Sequence, residues 1–279
     1  MRFNAGCELS YRVGSPTLFI FSLEIARTQA HRDISDGLSI TPEIPLNAFT
    51  VPGLENRYFS FVAPAGRLVV RYEAGVDLHV FRRHPADIAE TAVADVPLDL
   101  LPFLLPSRYC PSDLLGAFAA REFGHLFAGH QRVTAICNWI YDNVAYQPGT
   151  SGSSTSATDT LIGRAGVCRD FAHLGIAFCR ALNIPARFVS CYAHGLQPSD
   201  FHAVFEAYLD GRWWLFDATR QAHLDGLVRI GAGRDAAEVS FATIYGAAEM
   251  DGMNVWIKPV GALDVPLIRT TEAISTSAI

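Results

Sequence analysis

Three side chains in the second half of the sequence could together perform thiol chemistry on a carbonyl: Cys168, His202 and Asp217. A cysteine attacks as its thiolate, and a histidine takes up the thiol proton and returns it to the leaving group. A carboxylate on the far ring nitrogen fixes the tautomer and stabilises the imidazolium. Three of the six cysteines (Cys168, Cys179 and Cys191) lie close together, so metal ligation, disulfide pairing and core packing compete with that reading. A zinc site drawn from Cys168, Cys191, His194 and His202 has one ligand-like spacing, Cys191-x-x-His194, and lacks a second compact pair.

The elements that must position these groups can be read from periodicity. GVCRDFAHLGIAFCRALNIP predicts a helix that starts at Cys168, or within a residue or two of it. It should end at Asn183, which tolerates a left-handed cap, ahead of Ile184-Pro185. At 100° per residue, Phe171, Leu174, Phe178 and Leu182 form the core-facing stripe, and Cys168, Ala172, Gly175 and Cys179 an adjoining stripe of small side chains. Cys179 is about 16 Å along the axis from Cys168, too far for a disulfide or a shared ligand sphere. His173 falls about 140° round the helix from Cys168, with Arg169 and Arg180, and is expected on an exposed polar surface. Of the six cysteines, Cys168 alone meets a helix start, where unpaired N–H groups and the dipole favour a thiolate and offer donors to an oxyanion.

ARFVSCYA at 186–193 reads as a strand with Cys191 buried. FHAVFEAYLDGRWWLFDAT reads as a hairpin turning on Asp210-Gly211. A two-residue turn there pairs Leu209 with Arg212, Phe205 with Phe216 and Val204 with Asp217, so His202 and Asp217 project from one face as diagonal neighbours. A three-residue loop would send Asp217 to the opposite face.

Elsewhere, residues 1–91 read as a β-sandwich of short strands, and 92–112, with prolines at 97, 102, 106 and 111, as an extended connector laying its leucines on a neighbouring surface. From Asp113 the period becomes helical, with Val133, Cys137, Ile140, Tyr141 and Val144 on one stripe. The Ser/Thr-rich stretch at 149–158 is a loop, either connector or lid. A helix is expected near DAAEVSFATIY, a strand at NVWIKPV, and a frayed tail over 266–279. The catalytic core would then span 113–265. A net charge of −6 without a basic cluster argues against nucleic acid and anionic membranes, and the absence of a long apolar run or signal-like start argues for a cytoplasmic protein.

GVCRDFAHLGIAFCRALNIPARFVS, followed by His202-Ala203-x-x-Glu206 and Asp217-x-Thr219, resembles the bacterial branch of the transglutaminase-like superfamily over residues 113–222, and residues 1–90 resemble its β-rich N-terminal region. Val204 stands where many relatives have Trp, and Ala218 where they usually have Pro. The resemblance implies an α+β, papain-like transglutaminase core with Cys168, His202 and Asp217 catalytic, no cofactor and no metal. Its partner would be a peptide or protein substrate, offering an amide or a glutamine side chain. The activity implied is that of a cysteine peptidase or amidase, with a transglutaminase- or cyclase-type acyltransferase, or a non-catalytic binding module, as alternatives. The side-chain oxyanion donor is one of Trp139, Tyr146 and Gln147. The oligomeric state is not written in the sequence.

Overall fold

In a computed structural model, residues 1–261 and 272–277 are described. Seven strands come first: β1 (Arg2–Val13), β2 (Thr17–Phe21), β3 (His31–Thr41), β4 (Asn47–Thr50), β5 (Arg57–Ala63), β6 (Gly66–Leu78) and β7 (Phe81–Arg83). Next are α1 (Gly116–Phe123), α2 (His130–Asn143), β8 (Ala145–Tyr146), α3 (Ala157–Gly163), β9 (Ala165–Gly166) and α4 (Cys168–Ala181). The chain continues with β10 (Ala186–Ala193), β11 (Phe201–Leu209), β12 (Arg212–Phe216), β13 (Leu227–Gly233), β14 (Ala242–Tyr245), β15 (Ala248–Pro259) and β16 (Ala273–Ser275).

Two four-stranded antiparallel sheets, ordered β15-β1-β6-β3 and β14-β2-β5-β4, face each other in the N-terminal region. Alternation along β1 buries Phe3, Ala5, Cys7, Leu9, Tyr11 and Val13, and the opposing sheet contributes Phe19, Phe21, Phe59 and Phe61 to the same core. Tyr11 meets Phe19 across the gap at 5.2 Å between ring centroids. The expected β-sandwich is therefore present, but part of it comes from the other end of the chain. Residues 242–259, placed by sequence inside a 113–265 core, pair with β2 and β1 instead.

A third four-stranded sheet, β12-β11-β10-β13, is antiparallel and carries α4 on one face. Phe188, Ala203, Phe205 and Ala207 face the helix, and the small stripe has the consequence the sequence predicts. A Cβ on Gly175 would stand 2.5 Å from the Phe205 ring. Beyond the helix, the same sheet enters the sandwich core through Tyr192, Val228 and Ile230, and the Tyr192 hydroxyl donates to the Leu23 carbonyl at 2.8 Å.

Several expectations need correction. His173 is fully buried rather than exposed: its ring stacks on Tyr109 at 5.0 Å and its Nε2 accepts the Ala236 N–H. Arg180 is buried as well, donating to the Ala186, Leu105 and Arg234 carbonyls. A helical wheel registers polarity, and here the connector and residues 234–236 wrap the polar side with carbonyls and an aromatic ring. Tyr141 leaves its stripe and stays exposed beneath the Arg220 guanidinium, while Val133, Cys137, Ile140 and Val144 are buried.

The connector is folded into short 3-10 turns. Its leucines are laid down only in part: Leu100 and Leu104 are half-buried, Leu98, Leu101 and Leu105 are exposed, and the residues fully docked include Phe103 and Tyr109. No helix forms at DAAEVSFATIY, which supplies turns and then edge strand β14. In the tail, Ala273–Ser275 pairs with β7 and is buried, and Arg229 donates to Thr276 and Ser277. The rest of that expectation, at 266–271 and 278–279, lies outside the described residues. Among the described residues no helix is long and apolar enough to cross a membrane.

Gly175→Val should force Phe205 out of register with α4. A loss of about 1–3 kcal/mol is expected, read as a lower urea midpoint at unchanged m-value.

Candidate active site

The β11–β12 hairpin turns on Asp210 (φ 49°) and Gly211 (φ 76°), both left-handed, as a tight two-residue turn requires. The resulting register pairs Leu209 with Arg212 and Phe205 with Phe216. One step further on, this register brings His202 and Asp217 together: His202 Nε2 lies 2.9 Å from Asp217 Oδ2. Both side chains are almost completely shielded from solvent.

Asp217 is held from behind. Its Oδ1 accepts the Thr219 backbone N–H at 2.8 Å and the Thr219 hydroxyl at 2.7 Å. Burial would raise this carboxyl, but His202 and the Thr219 donors outweigh it and hold it below the usual carboxylate value. Burial alone would likewise lower His202. The charge and hydrogen bond of Asp217, assisted by the Cys168 thiol, reverse that and push the imidazole up to about 10. His202 Nδ1 has no nitrogen or oxygen partner, which leaves that side of the ring to Cys168.

Cys168 is the first residue of α4 and is half-buried, where the other five cysteines are buried. The Asp170 carboxylate fixes the turn in front of it by accepting the Val167 N–H at 2.8 Å. That cap packs so closely that a Cβ on Gly166 would lie 2.7 Å from the Asp170 Cβ. The other thiols are disfavoured as anions, because burial pushes Cys7 up to about 11 and Cys110 to about 12, and raises Cys137, Cys179 and Cys191 as well.

Strands β8 and β9 pair in parallel, the Gln147 N–H donating to the Gly166 carbonyl at 2.8 Å, and this carries Tyr146 to the helix start. The Tyr146 hydroxyl interacts with both the backbone N–H and the thiol of Cys168. Burial, followed by the nearby Cys168 charge, pushes it up to about 12. Of the three candidate oxyanion donors, Tyr146 is thus the one brought to Cys168. Trp139 is turned edge-on into Phe118 and Phe178. The 149–158 loop is tied to the helix start: Arg169 donates to the Gly152 carbonyl at 2.6 Å and the Tyr109 hydroxyl to that of Ser153 at 2.8 Å.

The zinc alternative does not assemble. His194 packs against Phe3, and the Cys191 thiol donates to the His202 carbonyl. Among the described residues no group of three His, Cys, Asp or Glu side chains could hold a metal ion. Sequence reasoning did not single out Asp170 or Asp200. The signal for Asp170 is its position three residues after the helix cap, as in a capping box. That for Asp200 is its place two residues before His202, the spacing at which strand side chains return to one side.

Comparison with known proteins agrees with this architecture. Residues 120–218 match the family model of the transglutaminase-like superfamily, and residues 1–99 that of the bacterial transglutaminase N-terminal domain. The crystal structure of a putative cysteine protease from Cytophaga hutchinsonii is 42% identical, with a TM-score of 0.94 over 99% of this chain and 97% of that one. Protein ML0607 of Mycobacterium leprae is 31% identical over 161 residues, covering 53% of this chain and 57% of the relative. Rv2569c of Mycobacterium tuberculosis is 28% identical over 170 residues, covering 56% and 52%. The chain spans about half the length of these curated relatives.

Iodoacetamide should label Cys168 faster than the other five cysteines, as peptide mapping would show; equal labelling of Cys179 or Cys191 would contradict this assignment. An NMR titration should find the His202 ring protonated until the pH rises through about 10. In Asp217→Asn the midpoint should fall by about 1–3 units. Because the folded-state value lies above the unfolded one near 6.5, the stabilisation from this pair is complete below that pH and is lost as pH rises through about 10.

Proposed function

The chain belongs to the transglutaminase-like superfamily, and from that premise we propose that it is a thiol-dependent acyl-transfer enzyme that hydrolyses an amide or peptide bond, with Cys168 as nucleophile, His202 as acid and base, and Asp217 as the residue that orients and charges the imidazole. The observation that carries the reading is the His202–Asp217 pair at 2.9 Å, which holds a proton on the ring beside a cysteine at a helix start.

The Cys168 thiolate attacks the carbonyl carbon and the π electrons move to oxygen. The oxyanion that forms is met by the Cys168 N–H and, after a small turn of its phenol, by the Tyr146 hydroxyl. Collapse breaks the C–N bond, and His202 passes its proton to the departing nitrogen, leaving a thioester and a neutral imidazole. That imidazole takes a proton from an incoming water, which attacks the thioester. Release of the carboxylic acid restores the thiolate–imidazolium pair. An amine in place of water gives transamidation through the same acyl-enzyme, so the two outcomes share every residue named. The expected substrate is a peptide or protein amide, and the cysteine spacing, which suggests no disulfide framework, supports action in a reducing, cytoplasmic setting.

A panel of peptide, isopeptide and glutamine-containing substrates, with and without added amines, should yield a mass increment on Cys168 and either acid or amide product. Cys168→Ala should abolish both increment and turnover while the protein stays folded. An enzyme that never accumulates or turns over an acyl adduct on any of these would instead be a binding module. Tyr146→Phe should lower kcat by about a hundredfold with little change in KM, since a donor used only in the transition state is lost.

A further inference from the structure

We propose that Asp200 selects a positively charged group on the leaving-group side of the scissile bond, the side from which an incoming amine would also approach. This rests on the acyl-transfer reading above. Asp200 immediately precedes β11 and lies two residues before His202, and strand alternation brings those two positions back to one side. It is exposed, so a ligand can reach it. Its carboxylate accepts the N–H of its own neighbour, Phe201, at 2.7 Å, and it forms no ion pair among the described residues.

Two groups that feel its charge belong to the reaction centre. Asp200 acts electrostatically on His202 and on Tyr146. Attack by Cys168 fixes which half of the substrate lies nearest. The carbonyl oxygen turns toward the Cys168 N–H and Tyr146, so the nitrogen must face His202, which protonates it. A carboxylate at the entry to the strand that carries His202 therefore borders the leaving half. Arg169, at the start of α4 beside Cys168, is already held by Asp170 at 3.2 Å and by the Gly152 carbonyl. Asp200 has no ion-pair partner of this kind among the described residues, so its carboxylate is left to meet a ligand's charge.

A lysine or arginine following the scissile bond, or an ammonium on the leaving chain, would meet this carboxylate, and a glutamate there would be repelled. For a solvent-exposed charge the discrimination between cationic and anionic substrates is expected to be about tenfold, shrinking as salt is added.

The test compares wild type, Asp200→Asn and Asp200→Lys with two readouts. The first is the rate at which a cationic and an anionic methanethiosulfonate of equal size modify Cys168, located by peptide mapping. The second is kcat/KM for peptide pairs that differ only in Lys or Glu after the scissile bond. Both cation-to-anion ratios should be about tenfold in wild type, near one in Asp200→Asn and inverted in Asp200→Lys. Labelling ratios that ignore the charge at position 200 overturn the proposal, as do peptide ratios that ignore it. If no substrate is turned over by any of the three proteins while the labelling ratios follow position 200, the acyl-transfer reading fails and the proposed selection fails with it, whereas turnover with unresponsive ratios leaves that reading intact and rejects Asp200 alone.

Discussion

The register of one hairpin is the constraint on which the rest of the site depends. Two consecutive left-handed residues, Asp210 and Gly211, make the turn between β11 and β12 a two-residue one, and the side-chain period of two then puts His202 and Asp217 on the same side. The electrostatic value of that placement shows in a comparison within the molecule. His31, His130 and His173 are buried without a carboxylate at hydrogen-bond distance, and burial pushes them down to about 4, 4 and 3. His202 is as deeply buried and is pushed up to about 10 because Asp217 overcomes the same penalty. A one-residue slip would turn the fourth imidazole into a neutral core group like the other three.

Holding that register against the helix is a packing problem, which the two halves of the fold share. Gly175 admits the Phe205 ring against α4, which sets the distance between the nucleophile's helix and the histidine's strand. At its other end, the sheet is locked into the N-terminal sandwich through Tyr192, Val228 and Ile230. The sandwich is in turn completed by β14 and β15, which the chain adds after passing through the core. The N-terminal region is thus bonded on both sides to chain that follows the site, and displacing it would disturb the sheet that carries His202.

What could be read in advance follows from the range of the forces involved. The helix start at Cys168, the left-handed Asn183 after it, the hairpin and its parity are consequences of neighbours within a few positions, and they are legible in the residues themselves. The departures at His173, Arg180 and 235–245 concern long-range partners. His173 and Arg180 look like a polar surface because the chain that covers them lies some sixty residues away or in the connector. The stretch at 235–245 has helical composition yet ends as an edge strand, because β2 offers it an unpaired backbone, a tertiary override of local propensity. Tyr146 entered as one of three equal candidates. Only the parallel pairing of β8 with β9, two residues long and without a periodic signature, distinguishes it from Trp139 and Gln147.

Six chemically identical thiols divide by environment alone. In five of them the sulfur is buried, and an anion there would be stranded without solvent, so burial keeps them protonated far above neutral pH. Cys168 differs in being only half-buried, in standing at the start of α4, where its N–H has no acceptor within the helix and meets the Tyr146 hydroxyl instead, and in facing a ring that keeps its proton. Each of these conditions is supplied by a different element: β9 and the Asp170 cap shape the turn, α4 provides the N–H donors, and β11 with β12 provides the charge. A sulfur moved one turn along the helix would lose all three at once, and Cys179, on the same stripe but three turns further in, is the demonstration that the stripe itself confers nothing.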